Sequence, residues 1–456
     1  MKTNKYSGNL IAILIAIILL FLATFLYFFW SDAAPARTSD SSQMPSLVET
    51  GTPIQLDMGA SSRCISDGSG FFLLLDDGIR RYDNSAKLRW DFPLSMSNPT
   101  YVANATFVAV GEYKGTSLNV FGQSGLIYSL SFDNEIINFT IGTNGYAAVT
   151  IASLRGGYTI DIFNDTGKRI TSFVVEVENN YPINSALSPD GRILAVSFLS
   201  LSGTQMESHM RAYYLKQSDG LDFTDGMFAS FHKTEGEIIS KVEFIDSSTL
   251  MFLSDGQYGV YELNSSNHMV LKWFREINNE ISFANAINDK GMAIAFGKSL
   301  VNKDGLAEGS LLILDKSGRQ LATYTMEGPV TYLHCGKDAV IAGGGNSARE
   351  FAAISYKDKV IWEYTATSDI LDFVILDKAE KVLIVSAGSI NFMEMRKSAS
   401  SASSQTSPND SRPDLEPTLL PPSESVTPAQ SEAPASAAPA EASEVETPEA
   451  ETPATP

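Results

Sequence analysis

Histidine and cysteine are the side chains of this 456-residue chain best suited to hold a transition metal or to act as nucleophiles, and both are scarce. The chain has four histidines and two cysteines, which are His209, His232, His268, His334, Cys64 and Cys335. Only His334 and Cys335 are adjacent. Neighbouring residues of a strand point to opposite faces, so these two would not chelate one ion. We therefore predict no metal site and no cofactor.

Catalytic motifs are also missing from the sequence. It has no Gly-x-Ser-x-Gly nucleophile turn, no phosphate-binding loop and no metalloprotease helix motif. The Asp-rich segments 164–169, 188–193 and 314–320 lack the spaced oxygen ligands of a calcium loop, and hairpin turns explain their Asn, Asp and Gly residues. We therefore predict no catalytic residues and a protein that is not an enzyme.

The elements that would position any site are short strands, and they repeat. Strand-like runs of about four to eight residues, with turn residues between them, recur through residues 52–396, and no long helical period appears. The clearest unit is FFLLLDDGIRRYDNSAKLRWDF at 71–92. A further short strand precedes each such unit, which makes four strands per repeat.

The spacing of these leading strands predicts a β-propeller of four-stranded antiparallel blades. Eight leading strands start near Ser61, Thr100, Ile136, Pro182, Ile239, Ile281, Val330 and Leu371. The spacing of roughly 40 to 50 residues is typical of propeller blades. The last unit has three strands, ending at 389–396, and PIQLDM at 53–58 can supply its fourth. This favours eight blades, with seven as the alternative.

The longest polar insertions join the second and third predicted strands of a blade, and these loops all lie on one face of the ring. They span residues 111–117, 152–157, 199–210, 297–310 and 343–350. Function concentrates on loops that a rigid scaffold holds, so we predict a candidate binding face there. Its residues are Tyr113, Lys114, Arg155, Glu207, His209, Lys303, Asp304 and Arg349. Tolerated surface insertions without a ligand are the alternative.

The two ends of the chain differ from the repeats. Leu10–Trp30 is an apolar run long enough to cross a membrane as one helix, and Lys2 and Lys5 place the stub 1–9 in the cytoplasm. A cleavable secretory signal is the alternative. Residues 31–51 are small and polar, which predicts a flexible linker. Residues 397–456 are rich in Pro, Ser, Ala and Glu, which predicts a disordered acidic tail.

The charge of the chain excludes one class of partner. The formal net charge is −20, and nucleic-acid binding needs a basic footprint. A membrane-anchored chain with an external propeller is predicted to meet protein or cell-wall polymer partners instead. Cys64 and Cys335 both fall in the external part, where a disulfide is permitted, and the sequence does not decide whether they are free.

The blade ends carry a family resemblance. AKLRWDF, DKVIWEY and GRQLATY resemble the repeats of quinoprotein-alcohol-dehydrogenase-like propellers, and ALSPDGRILAVSF at 186–198 resembles TolB-like and WD-repeat propellers. The whole chain is similar to uncharacterised membrane-anchored propeller proteins of Gram-positive bacteria. The resemblance implies that Trp90, Trp273 and Trp362 pack between blades. The adjacent cysteine pair of the quinoprotein enzymes is missing, which argues against a quinone cofactor.

Two functions follow as hypotheses. The first is a binding or scaffold module, anchored in the membrane and external to it, for an envelope protein or polymer. The alternative is a lactonase-like hydrolase or quinoprotein-like oxidoreductase working at the central channel. The predicted inner strands are poor in carboxylates and histidines, which favours the first.

Overall fold

The computed structural model describes residues 45–396 except for 58–61, 97–98, 155, 176–179, 202–203, 216–225, 278–279 and 299–307. The described residues form 33 β-strands, which are arranged in eight antiparallel sheets. The predicted membrane span Leu10–Trp30 and the predicted tail 397–456 lie outside the described residues.

The strands are numbered in chain order and grouped by blade. The N-terminal strands are β1 (Ser46–Glu49) and β2 (Ile54–Gln55). Blades 1 and 2 contain β3 (Ser62–Ser66), β4 (Gly70–Leu75), β5 (Gly78–Asp83), β6 (Leu88–Pro93), β7 (Pro99–Ala103), β8 (Val108–Glu112), β9 (Ser117–Gly122) and β10 (Gly125–Ser131). Blades 3 and 4 contain β11 (Ile136–Ile141), β12 (Ala147–Ala152), β13 (Tyr158–Phe163), β14 (Arg169–Val175), β15 (Asn180–Leu187), β16 (Ile193–Ser200), β17 (Glu207–Tyr214) and β18 (Met227–Glu235).

The remaining strands complete the ring. Blades 5 and 6 contain β19 (Ile239–Phe244), β20 (Thr249–Ser254), β21 (Gln257–Leu263), β22 (Met269–Glu276), β23 (Glu280–Asn288), β24 (Gly291–Lys298), β25 (Glu308–Leu314) and β26 (Gln320–Glu327). Blades 7 and 8 contain β27 (Val330–Cys335), β28 (Ala339–Gly344), β29 (Glu350–Ser355), β30 (Lys359–Thr365), β31 (Ile370–Ile375), β32 (Lys381–Ser386) and β33 (Ser389–Arg396). The prediction of an eight-bladed propeller with four-stranded blades is confirmed, and the seven-bladed alternative is excluded.

Burial within a blade explains the sequence pattern of each strand. The second strand lies between the neighbouring blades, so both of its faces are covered. Strand β4 (GFFLLL) is accordingly buried throughout and reads as a continuous apolar run. The outermost strand β6 is mostly exposed along LRWDFP. The core of the propeller therefore consists of apolar layers between blades, for example Phe72, Ile79, Val110 and Phe121 between blades 1 and 2.

The N-terminal segment closes the ring at blade 8. Strand β2 pairs with β33, as predicted for PIQLDM, through the pairs Ile54 with Ile390 and Gln55 with Ser389. The longer outer strand is β1, which pairs with β33 from Ser46 opposite Arg396 to Glu49 opposite Met393. The linker predicted for residues 31–51 includes residues 46–49. The structure starts the propeller earlier, because Leu47 is buried in the layer between blades 7 and 8.

The Asp-rich and Asn-rich segments are hairpin turns with a local explanation. At the turn after β13, the Asn164 side-chain oxygen accepts hydrogen bonds from the backbone amides of Thr166 (3.1 Å) and Lys168 (2.9 Å). After β25, Asp315 accepts from the amides of Ser317 (2.9 Å) and Arg319 (3.0 Å) in the same way. These side chains satisfy turn amides that would otherwise lack partners.

Polar side chains connect neighbouring blades. The indole Nε1 atoms of Trp90, Trp273 and Trp362 donate to the backbone oxygens of Gln123 (3.0 Å), Lys316 (3.0 Å) and Ala379 (2.6 Å) in the following blade. These contacts agree with the packing role that the resemblance implies. Near the axis, Asn138 donates to the backbone oxygen of Ile183 at 2.9 Å, which links the inner strands of blades 3 and 4.

Candidate functional site

The two ends of the ring carry different connections. We call the loop face the end with the loops between second and third strands and the connections between blades, and the turn face the opposite end. Both kinds of loop-face connection are joined by hydrogen bonds, for example from the Lys114 amide to the Ile136 oxygen (2.9 Å) and from the Phe132 amide to the Thr116 oxygen (2.8 Å). The loop face therefore presents the predicted insertions 111–117 and 343–350, which the structure describes in full.

Three predicted site residues lie in loop-face connections of the described chain. Tyr113 and Lys114 form the tip of the loop after β8, where the Lys114 Nζ lies 5.6 Å from the centre of the Tyr113 ring. Lys114 has a φ of 61°, in the left-handed region. On blade 7, Arg349 donates to Asp369 at 2.7 and 2.9 Å. Blades 2 and 7 are separated by blades 8 and 1, so the structure does not bring these residues into one site.

Glu207 and His209 lie in strand β17 of blade 4, although the sequence analysis placed them in a loop. Glu207 pairs with Lys233 of β18 at 2.9 Å. His209 is half-buried, and its ring stacks on Phe198 with 5.4 Å between centroids. Burial first, and then the Arg211 cation, lower the pKa of His209 to about 4. The other predicted site residues, Arg155, Lys303 and Asp304, lie outside the described residues.

A group of exposed apolar side chains lies on the loop face of blades 2 to 4, and only Tyr113 among them was predicted from the sequence. We call this group the blade 2–4 patch. Its members and their exposed fractions are Tyr113 (56%), Leu154 (92%), Val174 (78%), Tyr181 (40%) and Leu201 (49%). Tyr113, Leu154 and Leu201 follow strands that end at the loop face, Val174 is the next-to-last residue of β14, and Tyr181 is the second residue of β15, which starts there. Large apolar side chains so fully exposed mark a surface for interaction when they gather in one place.

Tyrosine side chains connect the three blades that carry the patch. Tyr158, at the start of β13, packs edge-on against Tyr181 with 6.2 Å between ring centres. Partial burial raises the pKa of Tyr158, and the nearby hydroxyls of Tyr181 and Tyr113 raise it further. Tyr113 of blade 2, Tyr158 of blade 3 and Tyr181 of blade 4 are therefore neighbours. The signal in the sequence is Leu154 within the otherwise polar loop 153–157.

The enzyme alternative was predicted to act at the central channel, and one buried carboxylate of the inner strands connects three blades. The buried Asp372 of β31 accepts hydrogen bonds from the Tyr332 hydroxyl (2.8 Å) and the Cys64 backbone amide (3.2 Å). These bonds connect blades 7, 8 and 1. Burial, and then the Asp372 charge, raise the pKa of the Cys64 thiol well above its usual value, so this thiol is not an activated nucleophile.

The two cysteines are free thiols in the structure. Cys64 lies on the inner strand of blade 1 and Cys335 on that of blade 7, with blade 8 between them. Burial raises the pKa of Cys335 to about 12. Among the described residues, no group of three or more His, Cys, Asp or Glu side chains is placed to hold a metal ion. The same part of the chain contains no helix long and apolar enough to cross a membrane.

A family model matches this chain over residues 48–395, which is nearly the whole propeller. The chain belongs to the family DUF5711. This family is described as a family of unknown function. The matched range begins inside β1 and ends inside β33, so the family includes the strands that close the ring. No curated protein matches the chain.

Solved structures similar to this DUF5711 protein are propellers at low sequence identity. BamB from Moraxella catarrhalis is 12% identical, with a TM-score of 0.45, over 76% of this chain and 100% of that one. Sqt1 from Chaetomium thermophilum is 14% identical, with a TM-score of 0.46, over 72% of this chain and 93% of that one. A eukaryotic initiation factor is 12% identical, with a TM-score of 0.47, over 78% and 97% of the two chains. At these values the similarity carries no argument about function.

Proposed function

We propose that this chain is a membrane-anchored, extracytoplasmic scaffold that binds an envelope protein through the blade 2–4 patch. The observation that carries the proposal is the exposure of apolar and tyrosine side chains across three neighbouring blades, on the face that the longest loops occupy. A cell-wall polymer is the alternative partner, and the experiment below distinguishes it.

The positions of the chain ends support an outward orientation of the patch. Ser46 and Arg396 are paired at the turn face, where the amide of Met395 also bonds to the oxygen of Glu380 in a first-to-second-strand turn at 2.8 Å. If Leu10–Trp30 spans the membrane, residues 31–45 connect it to the turn face over at most about 50 Å. The turn face then looks toward the membrane, and the loop face looks away from it toward envelope partners.

The chemistry of the patch suits a protein partner. Tyrosine is enriched where protein interfaces concentrate their binding energy, because it offers a large rigid surface and a polar hydroxyl. The same face of blades 2 to 4 exposes Tyr113 and Tyr181 together with the aliphatic side chains Leu154, Val174 and Leu201. Truncating an interface anchor of this kind costs about 2 kcal/mol or more of binding free energy, which is roughly thirtyfold in affinity.

The proposal does not include catalysis. The buried carboxylate Asp372 of the inner strand β31 is engaged in holding blades together, through its hydrogen bonds with Tyr332 and Cys64. What supports a binding function is therefore the contrast between a channel with structural hydrogen bonds and a loop face with exposed apolar side chains.

Site-specific photo-crosslinking in intact cells tests the proposal. A benzoylphenylalanine at position 154 is expected to crosslink one protein, which mass spectrometry then identifies. The same group at position 126 is the matched control, since Leu126 is also an exposed leucine but lies in β10 near the turn face. A second substitution, Tyr181→Lys, is expected to abolish the crosslink from position 154.

The outcomes are distinct. A discrete protein adduct that forms from position 154, not from position 126, and disappears with Tyr181→Lys supports the proposal. A heterogeneous adduct that wall hydrolases convert to the mass of the chain indicates a polymer partner. The protein-scaffold proposal is refuted if position 154 gives no adduct, or gives the same adducts as position 126.

A further inference from the structure

A cleft on the outer part of blade 4 has the features of a binding site, and nothing above uses it. Its volume is about 440 Å³, and it is lined by Ser200, Glu207, His209, Arg211, Ser230 and Lys233. Glu207, His209 and Arg211 alternate along β17, so they share one face of the sheet. That face looks toward blade 3, since it continues the layer that holds Phe198 and Tyr213.

Arg211 is the notable cation of this cleft. It is half-buried, and its guanidinium carbon lies 4.9 Å from the centre of the Phe198 ring. Within the described chain no carboxylate forms an ion pair with it, whereas the nearby Lys233 pairs with Glu207. A guanidinium held by an aromatic ring keeps its N–H groups directed to the sides, where a carboxylate can accept two parallel hydrogen bonds.

His209 adds an unused polar atom. Its Nε2 is buried and has no hydrogen-bond partner among the described residues. Leaving a buried polar atom without a hydrogen-bond partner costs about 1–3 kcal/mol of free energy. A ligand that supplies this partner is therefore favoured. With its pKa lowered to about 4, the imidazole is neutral at pH 7 and can donate one hydrogen bond without adding charge.

We propose that this cleft binds a single carboxylate group, held in a bidentate manner by Arg211 and contacted by His209. The charged residues of the cleft in the described chain are Arg211, Lys233 and Glu207, so the net charge of the cleft is plus one. This net charge complements the single negative charge of one carboxylate. A cavity near the lower end of the size range of ligand sites accommodates one side chain or chain terminus of a partner.

The cleft lies beside the blade 2–4 patch, although the proposal does not depend on it. Ser200 ends β16, and the exposed Leu201 of the patch follows it directly. An acidic residue next to an apolar segment could therefore use both. Binding of an isolated carboxylate tests the cleft alone, so failure there is separate from failure of the crosslinking experiment.

The test uses the full chain in detergent and saturation-transfer NMR with N-acetyl-glutamate amide as the probe. The uncharged N-acetyl-glutamine amide is the matched control ligand. We expect saturable binding of the glutamate probe and at least tenfold weaker binding of the glutamine probe. Arg211→Gln is expected to lower affinity at least tenfold, while the control Arg319→Gln, an exposed arginine of blade 6, changes it less than twofold.

Two further measurements keep the outcome decisive. Arg211→Lys retains the charge without the planar fork, so we expect an intermediate loss, and this variant serves if Arg211→Gln does not fold. Inorganic phosphate is expected to compete more weakly than acetate at equal ionic strength. Equal binding of the two amides, an unchanged affinity in both Arg211 variants, or stronger competition by phosphate would each overturn the carboxylate assignment.

Discussion

Substitution Leu47→Ala tests how the ring is closed. Leu47 is 7% exposed and packs with Trp362, Phe373 and Met393 in the layer between blades 7 and 8. Replacing a buried leucine by alanine costs about 2–4 kcal/mol, because transfer energy is lost and a cavity remains. For about 350 residues that unfold together, the entropy of unfolding is roughly 0.7 kcal/mol per kelvin, so the midpoint should fall by about 3–6 °C.

The matched control is Leu88→Ala. Leu88 is also a leucine on the outermost strand of its blade, but it is 46% exposed. Its replacement should change the midpoint by less than about 1 °C, since surface substitutions usually stay within about 0.5 kcal/mol. Thermal unfolding of the full chain in detergent, followed by circular dichroism, gives both values. If Leu47→Ala costs no more than Leu88→Ala, β1 does not close the ring as described.

Four further predictions test the remaining claims. Truncation after Arg396 should leave the thermal midpoint unchanged, because the predicted tail offers no core; a fall of many degrees would contradict this. Protease added to intact, wall-stripped cells should degrade the propeller or the tail, and survival of both there alongside cleavage in lysed cells would show the opposite orientation. Cys64 and Cys335 should both be counted as free thiols after denaturation and should alkylate slowly at pH 8 in the native state, since burial raises both pKa values. In the folded state the pKa of His209 is lowered from 6.5 to about 4, so its contribution to the free energy of unfolding is present above pH 6.5 and is lost as pH falls toward 4. His209→Gln should therefore make the free energy of unfolding less dependent on pH between 6.5 and 4. An unchanged pH dependence would contradict this prediction.

Local patterns in the sequence predicted the propeller well. The eight predicted starts of the inner strands lie within two residues of the observed ones, for example Ile239 and Val330, which coincide. Apolar runs such as GFFLLL form strands, and segments such as NDTGKR form hairpin turns. Both depend on interactions between residues that are at most about ten positions apart in the sequence. The blade count followed because the repeats cover the propeller without a remainder.

The closing strand was only partly predictable, because its pairing joins the two ends of the propeller. Ile54 and Gln55 pair with β33 as predicted, but the four residues of β1 carry only one buried side chain, Leu47. Four residues with two apolar side chains, Leu47 and Val48, give too short a pattern to separate a strand from a linker. What makes them a strand is the edge of β33, which is more than 300 residues away.

The candidate site shows the same limit. Loops could be assigned to one face from strand order, yet Glu207 and His209 belong to a strand because β16 and β17 extend beyond the predicted turn. The patch depends on which blades are neighbours and on the exposure of single residues such as Leu154, and neither quantity is local. Arg211 was not singled out, because its lack of a carboxylate partner is visible only once the blades are assembled.

Ring geometry makes binding and stability separable in this protein. Blade 8, where β1 closes the ring, lies opposite blade 4 and is separated from blade 2 by blade 1, so it has no direct neighbour among the blades of the patch. Sites without shared partners contribute independently to free energy. Leu47→Ala should therefore lower the midpoint without changing crosslinking from position 154, and Tyr181→Lys should do the reverse. In the double variant the two effects should add to within about 0.5 kcal/mol. A larger deviation would mean that the patch and the closing strand are coupled through the intervening blades, and that loss of crosslinking reflects opening of the ring rather than loss of a contact.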